Sequence, residues 1–219
     1  MAPLFFPGGP PTGRGSRRPA LPAQDSAAVT IGAFTWKAWM LLLEVLHLLL
    51  NTAAALLGGA LLLRVYLSWL RIAAHNPLVQ FSWALTEWLV KPFRALLPGR
   101  ARIDWPCVAA ALAVALVFVL LMRLAGIGGG PDWSLLVPQV LGLVVHWALY
   151  MLTVLVFIYV LLSLVNPHAP LAPTFDLLTR PLLAPFRRAL PLVGGFDLSP
   201  IAFLLVVQIL LLVLDWARI

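Results

Sequence analysis

Four long runs almost free of charge dominate this chain. Val45–Leu63, Trp105–Met122, a third run from Trp133 to Phe175 and Ser199–Leu214 each contain no Asp, Glu, Lys or Arg. A helix needs about 20 mostly apolar residues to cross a bilayer. The spans are placed at about 45–70, at Trp105–Met122, at about 141–165 and at Ser199–Leu214. Lipid offers no partner to backbone N–H and C=O groups, so each span is expected to be helical. Composition agrees: 62% of the 219 residues are hydrophobic and 11% are charged, against about 45–50% and 25% in soluble domains. A soluble globular fold and a wholly disordered chain are both excluded.

The net charge is +7. On a soluble domain that would suggest nucleic acid, but here basic residues belong to loops beside an anionic membrane face, and no nucleic-acid partner is expected. One cysteine, Cys107, excludes an intrachain disulfide and reads as a small buried hydrophobe. Residues 1–30 are rich in Pro, Gly and Arg, and a disordered tail is expected over 1–39.

The segments between paired spans echo each other. Pro92-Phe93-Arg94-Ala95-Leu96-Leu97-Pro98 returns as Pro185-Phe186-Arg187-Arg188-Ala189-Leu190-Pro191, 93 residues later. The same spacing relates Pro77 to Pro170, Leu85 to Leu178, Thr86 to Thr179, Leu89 to Leu182 and Asp104 to Asp197, while Ser68 and Ser163 lie 95 apart. A duplicated unit accounts for so many matches in order. The expected organisation is a first repeat over 40–125, a Gly-rich linker over 126–134 and a second repeat over 135–219. Each repeat is span, loop, span, so both copies point the same way, unlike the inverted repeats of many transporters. The fold class is all-α, with four transmembrane helices as two parallel tandem repeats.

Both long loops fall on one side and carry most of the basic residues, which the positive-inside rule places in the cytoplasm. In the first, Leu78, Phe81, Leu85 and Trp88 recur at helical spacing and read as the apolar face of an interfacial helix. Phe175, Leu178 and Leu182 repeat the idea, and Pro77, Pro92 and Pro98 are expected to punctuate the first loop. Trp83, Trp88, Trp105, Trp133 and Trp216 fall near expected interfaces. At the start of the last span Gly194-Gly195 gives a turn, Ser199 an N-cap and Pro200 the first helical residue. Asp104 and Asp197 read as capping residues rather than ion ligands. Arg64, near the end of its span, reads as a side chain that carries its guanidinium to the interface. Gly58-Gly59 is expected to permit close helix contact.

Arg64-Val65-Tyr66-Leu67-Ser68-Trp69, Asn76-Pro77, Pro92-Phe93-Arg94 and Pro98 resemble the first unit of the YggT (YlmG-like) membrane protein family. Leu190-Pro191-Leu192-Val193-Gly194-Gly195-Phe196-Asp197-Leu198-Ser199-Pro200, after Arg187-Arg188, resembles the second. The resemblance covers about Met40 to Leu214. It departs at Gly99-Arg100-Ala101-Arg102, where members often carry a glycine turn, and near Tyr159, where an arginine is expected. It implies a protein of the bacterial inner membrane with plastid relatives. Members have been linked to osmotic and cation tolerance, to cell division and nucleoid distribution, and in plastids to attachment of a haem to a cytochrome b-type subunit. It also implies a start at Met40, which peptide mapping of the native N-terminus tests.

Three functions compete. A non-enzymatic scaffold or assembly factor would present both basic loops to lipid, to other membrane proteins or to a second copy of itself. A cation-homeostasis accessory would use Arg64, Asn51, Ser68, Ser163 and Gln208, although no acid lies deep in a span. A haem-handling factor would use His47 and His146, near the starts of two spans running in one direction. No cofactor, metal cluster, small-molecule substrate or catalytic constellation emerges from the residues, so no enzyme is expected.

Overall fold

The computed structural model describes residues 23–97, 103–126, 133–166, 168–189 and 197–217. The chain divides between Val45 and Leu46 into two compact units, and the helical bundle belongs to the second. The described residues form six α-helices: α1 (Ala23–Trp69), α2 (Pro77–Leu96), α3 (Trp105–Leu124), α4 (Leu136–Val165, preceded by a 3-10 turn at Trp133–Leu135), α5 (Ala172–Ala189) and α6 (Ser199–Ala217). Among the described residues, four segments are long and apolar enough to cross a membrane: Trp39–Trp69, Trp105–Leu124, Trp133–Val165 and Ser199–Ala217. The chain is therefore an all-helical, multi-pass membrane protein. Trp83, Trp88, Trp105, Trp133 and Trp216 are all exposed.

One expectation fails at the N-terminus. Residues 23–39, assigned to a disordered tail, lie in α1. Pro22 is the last proline before the span, and the Ala-rich stretch after it has nothing to stop a helix extending backwards from the apolar run. The rest of that tail lies outside the described residues, as does most of the 126–134 linker.

Leu61 of α1, Val90 of α2 and Cys107, Ala110 and Ala111 of α3 form one buried cluster. Val156 of α4, Leu183 of α5 and Phe203, Val207 and Leu211 of α6 form another. Leu61 and Val156 are 95 apart, and Val90 with Leu183 and Ala110 with Phe203 are 93 apart, so positions at the repeat spacing fill the two cores. A third cluster joins the halves through Leu67, Val79, Leu155, Phe175 and Leu178. A fourth joins them through Ala54, Ala115, Val140 and Trp147. Within it α1 and α4 touch at Gly58, where a Cβ would overlap the Trp147 ring, whereas a Cβ on Gly59 would meet nothing within 4 Å. Only the first glycine of the pair is a contact residue.

The C-terminal end of α1 closes on itself. The Ile72 N–H donates to the Leu67 carbonyl (3.2 Å) and the Arg71 N–H to the Ser68 carbonyl (3.1 Å), with Arg71 at φ 54°. This is the Schellman pattern, whose left-handed position favours glycine. Replacing Arg71 with Gly relieves the Cβ penalty of about 1–2 kcal/mol at a left-handed residue. The expected result is a rise of a few degrees in the melting temperature of the detergent-solubilised protein, read by tryptophan fluorescence.

A candidate functional platform at one end of the bundle

The two segments joining the paired spans are helices packed on the bundle. Asn76 starts α2: its side-chain oxygen accepts from the Leu78 N–H at 3.0 Å, and Pro77 fills the first turn. The Asn76 Nδ2 donates to Thr174 Oγ1 of α5 at 2.9 Å. The Tyr66 hydroxyl of α1 donates to the Leu178 carbonyl of α5 at 2.6 Å. These bonds, with the Val79–Phe175–Leu178 packing, bring α2 and α5 together at one end of the bundle. Asn76→Ala removes both the cap and the bridge. A loss of about 1–2 kcal/mol is expected, seen as a lower melting temperature that Asn76→Asp restores at least in part, because Asp keeps the cap and can accept from the Thr174 hydroxyl.

The buried face of α2 is Val79, Ser82, Thr86 and Val90. Phe81 and Trp88, in the stripe expected to be its apolar face, are 63% and 64% exposed, and Leu85 is exposed as well. In lipid the most apolar face points outward and small or hydroxylated residues allow close packing inward. On α5 the stripe does face inward: Phe175 and Leu178 are buried and Leu182 is half-buried. Thr86 and Thr179 are both fully buried and return their hydroxyls to the carbonyls of Ser82 (2.6 Å) and Phe175 (2.8 Å). Pro92 does not end α2, which runs through it to Leu96, and Pro181 and Pro185 lie inside α5. Pro92 and Pro185 lie on exposed parts of their helices, where a carbonyl freed by proline can be satisfied at the membrane surface.

Arg64 is the centre of the first half. It is 2% exposed. Its Nη2 meets Glu87 Oε2 at 2.7 Å, its Nη1 donates to Thr86 Oγ1 at 3.0 Å, and its Nε lies 3.6 Å from Asp104 Oδ2. Arg94 closes the ring, with Nη1 2.9 Å from Glu87 Oε1 and Nη2 3.9 Å from Asp104 Oδ2. Two cations and two anions alternate, so the cluster is neutral. The guanidinium also lies over the Trp83 ring, 5.5 Å from its centre. Arg64 Nε is the one buried side-chain polar atom without a hydrogen bond among the described residues. Asp104 is too far for a bond there but supplies its charge.

Two sequence expectations are corrected. Arg64 does not carry its guanidinium out to the interface, because acids from α2 and from the start of α3 come to it. Asp104 precedes α3 but makes no side-chain cap bond, its carboxylate being turned to the arginines.

The second half keeps Arg94 and Asp104 as Arg187 and Asp197, but it carries Tyr159 in place of Arg64 and Arg180 in place of Glu87. Tyr159, at the repeat position of Arg64, accepts from Arg187 Nη2 at 2.9 Å, and Arg187 Nε meets Asp197 Oδ2 at 2.8 Å. Asp197 Oδ1 accepts from the Ser199 N–H at 2.9 Å. The capping expected of Ser199 therefore comes from Asp197, and α6 already includes Ser199, buried beside Pro200. Ser68 bonds the Val65 carbonyl locally, Ser163 and Arg188 are exposed, and Pro98, Pro191, Gly194 and Gly195 lie outside the described residues. His47 stacks on Phe118 of α3, whereas His146 Nε2 lies 3.5 Å from Asp215 of α6, so the two haem candidates have different neighbours. Sequence reasoning gave Glu87 no site role, and it named Trp83 and Tyr66 without the contacts they make here. The Thr86–Thr179 match was the signal pointing at the buried face next to Glu87.

The Arg64 hydrogen bond, then the nearby charges of Arg94 and Lys91, hold the Glu87 carboxyl below its ordinary value against the effect of burial. Burial works to raise Asp197, but hydrogen bonds from Ser199 and Arg187 outweigh it and leave that carboxyl lowered too. A carboxyl depressed in the folded state contributes stability above its unfolded value, about 3.9–4.3, and loses it as pH falls through the folded value. The melting temperature should stay level from about pH 8 to 5 and fall below about pH 4. Glu87→Gln with Asp197→Asn should flatten that acid slope in a pH series of thermal melts.

The CCB3/YggT family model matches residues 43–125 and 138–217. The uncharacterized protein YggT of Escherichia coli strain K12 is 25% identical over 178 residues, covering 77% of this chain and 88% of its own length. The uncharacterized protein PA0392 of Pseudomonas aeruginosa is 37% identical over 172 residues, covering 76% and 87%. An uncharacterized protein of Haemophilus influenzae is 34% identical over 152 residues, covering 68% and 80%. No solved structure matches the chain. The motifs that built the two charged clusters fall inside the matched segments, and this chain belongs to the CCB3/YggT family.

Proposed function

We propose that this protein is a non-enzymatic scaffold of the bacterial inner membrane, formed by a duplicated helix–surface helix–helix unit. It presents α2 and α5 as one platform on the cytoplasmic face to anionic lipid and to another membrane protein or a second copy of itself. The observation that carries this reading is the anchoring of both surface helices. Buried Arg64 holds α2 against the ends of α1 and α3, and Arg187 holds α5 against Tyr159 and Asp197. Anchoring of this kind holds a surface in place rather than lining a path. What it leaves outward is apolar and basic: Phe81, Trp88 and Lys91 on α2, Leu177, Arg180 and Arg188 on α5. Such a surface suits anionic headgroups and a partner helix. The basic bias of this end supports a cytoplasmic position.

In-cell photocrosslinking tests it, with the probe at Trp88 or Leu177 and a control at lipid-facing Leu205. One discrete protein adduct shared by both platform positions and missing from the control is expected. Equal labelling at all three positions would sink the scaffold.

A further inference from the structure

The two halves diverge around the Arg64 cluster. In the first, the indole of Trp83 is covered by the Arg64 guanidinium. In the second, Asp176 stands 93 residues after Trp83, and Tyr159 stands 95 after Arg64. A cation over a ring is thus replaced by a phenol and a carboxylate, and the space is open. A cleft of about 250 Å³ lies there, lined by Tyr159, Leu162, Ser163, Ala172, Pro173 and Asp176.

Its charge is unbalanced. Arg187, the nearest counterpart of Arg94, is taken by Asp197 and Tyr159. Arg180, one turn along α5, is exposed. Among the described residues no hydrogen bond or ion pair reaches the Asp176 carboxylate, which is half-buried beside Leu162, Ala172 and Pro173. A carboxylate held against apolar walls favours a cation.

We propose that this cleft binds a primary ammonium group. Its three N–H donors suit the three oxygen-bearing side chains that line the cleft, Asp176, Ser163 and Tyr159. The Tyr159 oxygen accepts one bond from Arg187 and retains a second lone pair. A water takes up about 30 Å³ of liquid volume, so the cleft has room for about eight waters, enough for an aminoethyl group and several atoms beyond it. It lies on the last turns of α4 and the first turn of α5, where the spans end. Both the ethanolamine headgroup of a lipid and a free small amine carry this chemistry.

Two arms separate the sources, using the full chain. In one, thermal melts are recorded with ethanolamine hydrochloride, choline chloride or sodium chloride at equal ionic strength. In the other, the protein in phosphatidylethanolamine or phosphatidylcholine nanodiscs is released and its retained lipid weighed by native mass spectrometry. Saturable protection by ethanolamine but not choline assigns a free amine, and selective retention of phosphatidylethanolamine assigns the lipid. Either response should weaken roughly tenfold in Asp176→Asn, the loss expected for one charge-assisted hydrogen bond. The proposal fails if neither arm prefers the primary amine, or if Asp176→Asn binds as well as the parent. It also fails if binding emerges only in Arg180→Gln, which would make Arg180 the cation that Asp176 is held for.

Discussion

Arg64→Met should be the most damaging single substitution in this protein. The change keeps a long apolar stem but leaves Glu87, Asp104 and Arg94 as a net negative group around an uncharged side chain. Breaking a buried ion pair from one side costs about 3–5 kcal/mol, and the exposure of Glu87 to solvent moves the expectation to the lower end. For a chain of this size about 3 kcal/mol is roughly 6–12 °C in melting temperature. Arg64→Lys should fall between, because one ammonium cannot reach Thr86, Glu87 and Asp104 with the spread of a guanidinium. Arg187→Met is the comparison. Arg187 is 34% exposed, and the loss there should be about 1 kcal/mol or less. Melts of the three variants in one detergent decide the ranking. Equal losses at Arg64 and Arg187 would show that burial of the first guanidinium contributes nothing.

Gly58→Ala should be the second largest effect, out of proportion to one methyl group. The new Cβ falls on the Trp147 ring, and Trp147 is itself buried. Overpacking of this kind costs about 1–3 kcal/mol. Gly59→Ala, in open space, should be neutral or slightly stabilising, since alanine is the better helix former. Gly58→Ala combined with Trp147→Leu should lose less than the two single changes added together, because both act on one contact. Simple additivity would mean that α1 and α4 do not meet there.

The spans were the most legible part of the chain, because a long run without charge has few other uses. Their ends were less so. The uncharged run from Trp133 to Phe175 carries no marker of where α4 stops, and nothing after Pro22 told the helix where to begin. The surface helices were found by period, but the face of α2 that packs on the bundle was not: Phe81 and Trp88 face out, while Ser82 and Thr86 pack. Arg64 was singled out, but its acids lie 23 residues on at Glu87 and beyond that at Asp104. Nothing local linked them. The match of Asp104 with Asp197 marked both as paired positions without saying that each would face an arginine.

The Arg64 ring also has a place in time. A ribosome delivers α1 first, and Arg64 emerges 23 residues ahead of Glu87 and 40 ahead of Asp104. At about 5–20 residues per second, the 23 residues to Glu87 take roughly one to five seconds. During that interval the cation must wait at the membrane border, where a charge near a helix end is tolerated better than one at mid-depth. The charge ring of this half can therefore close only once α2 and the first turn of α3 have arrived, since both supply its acids.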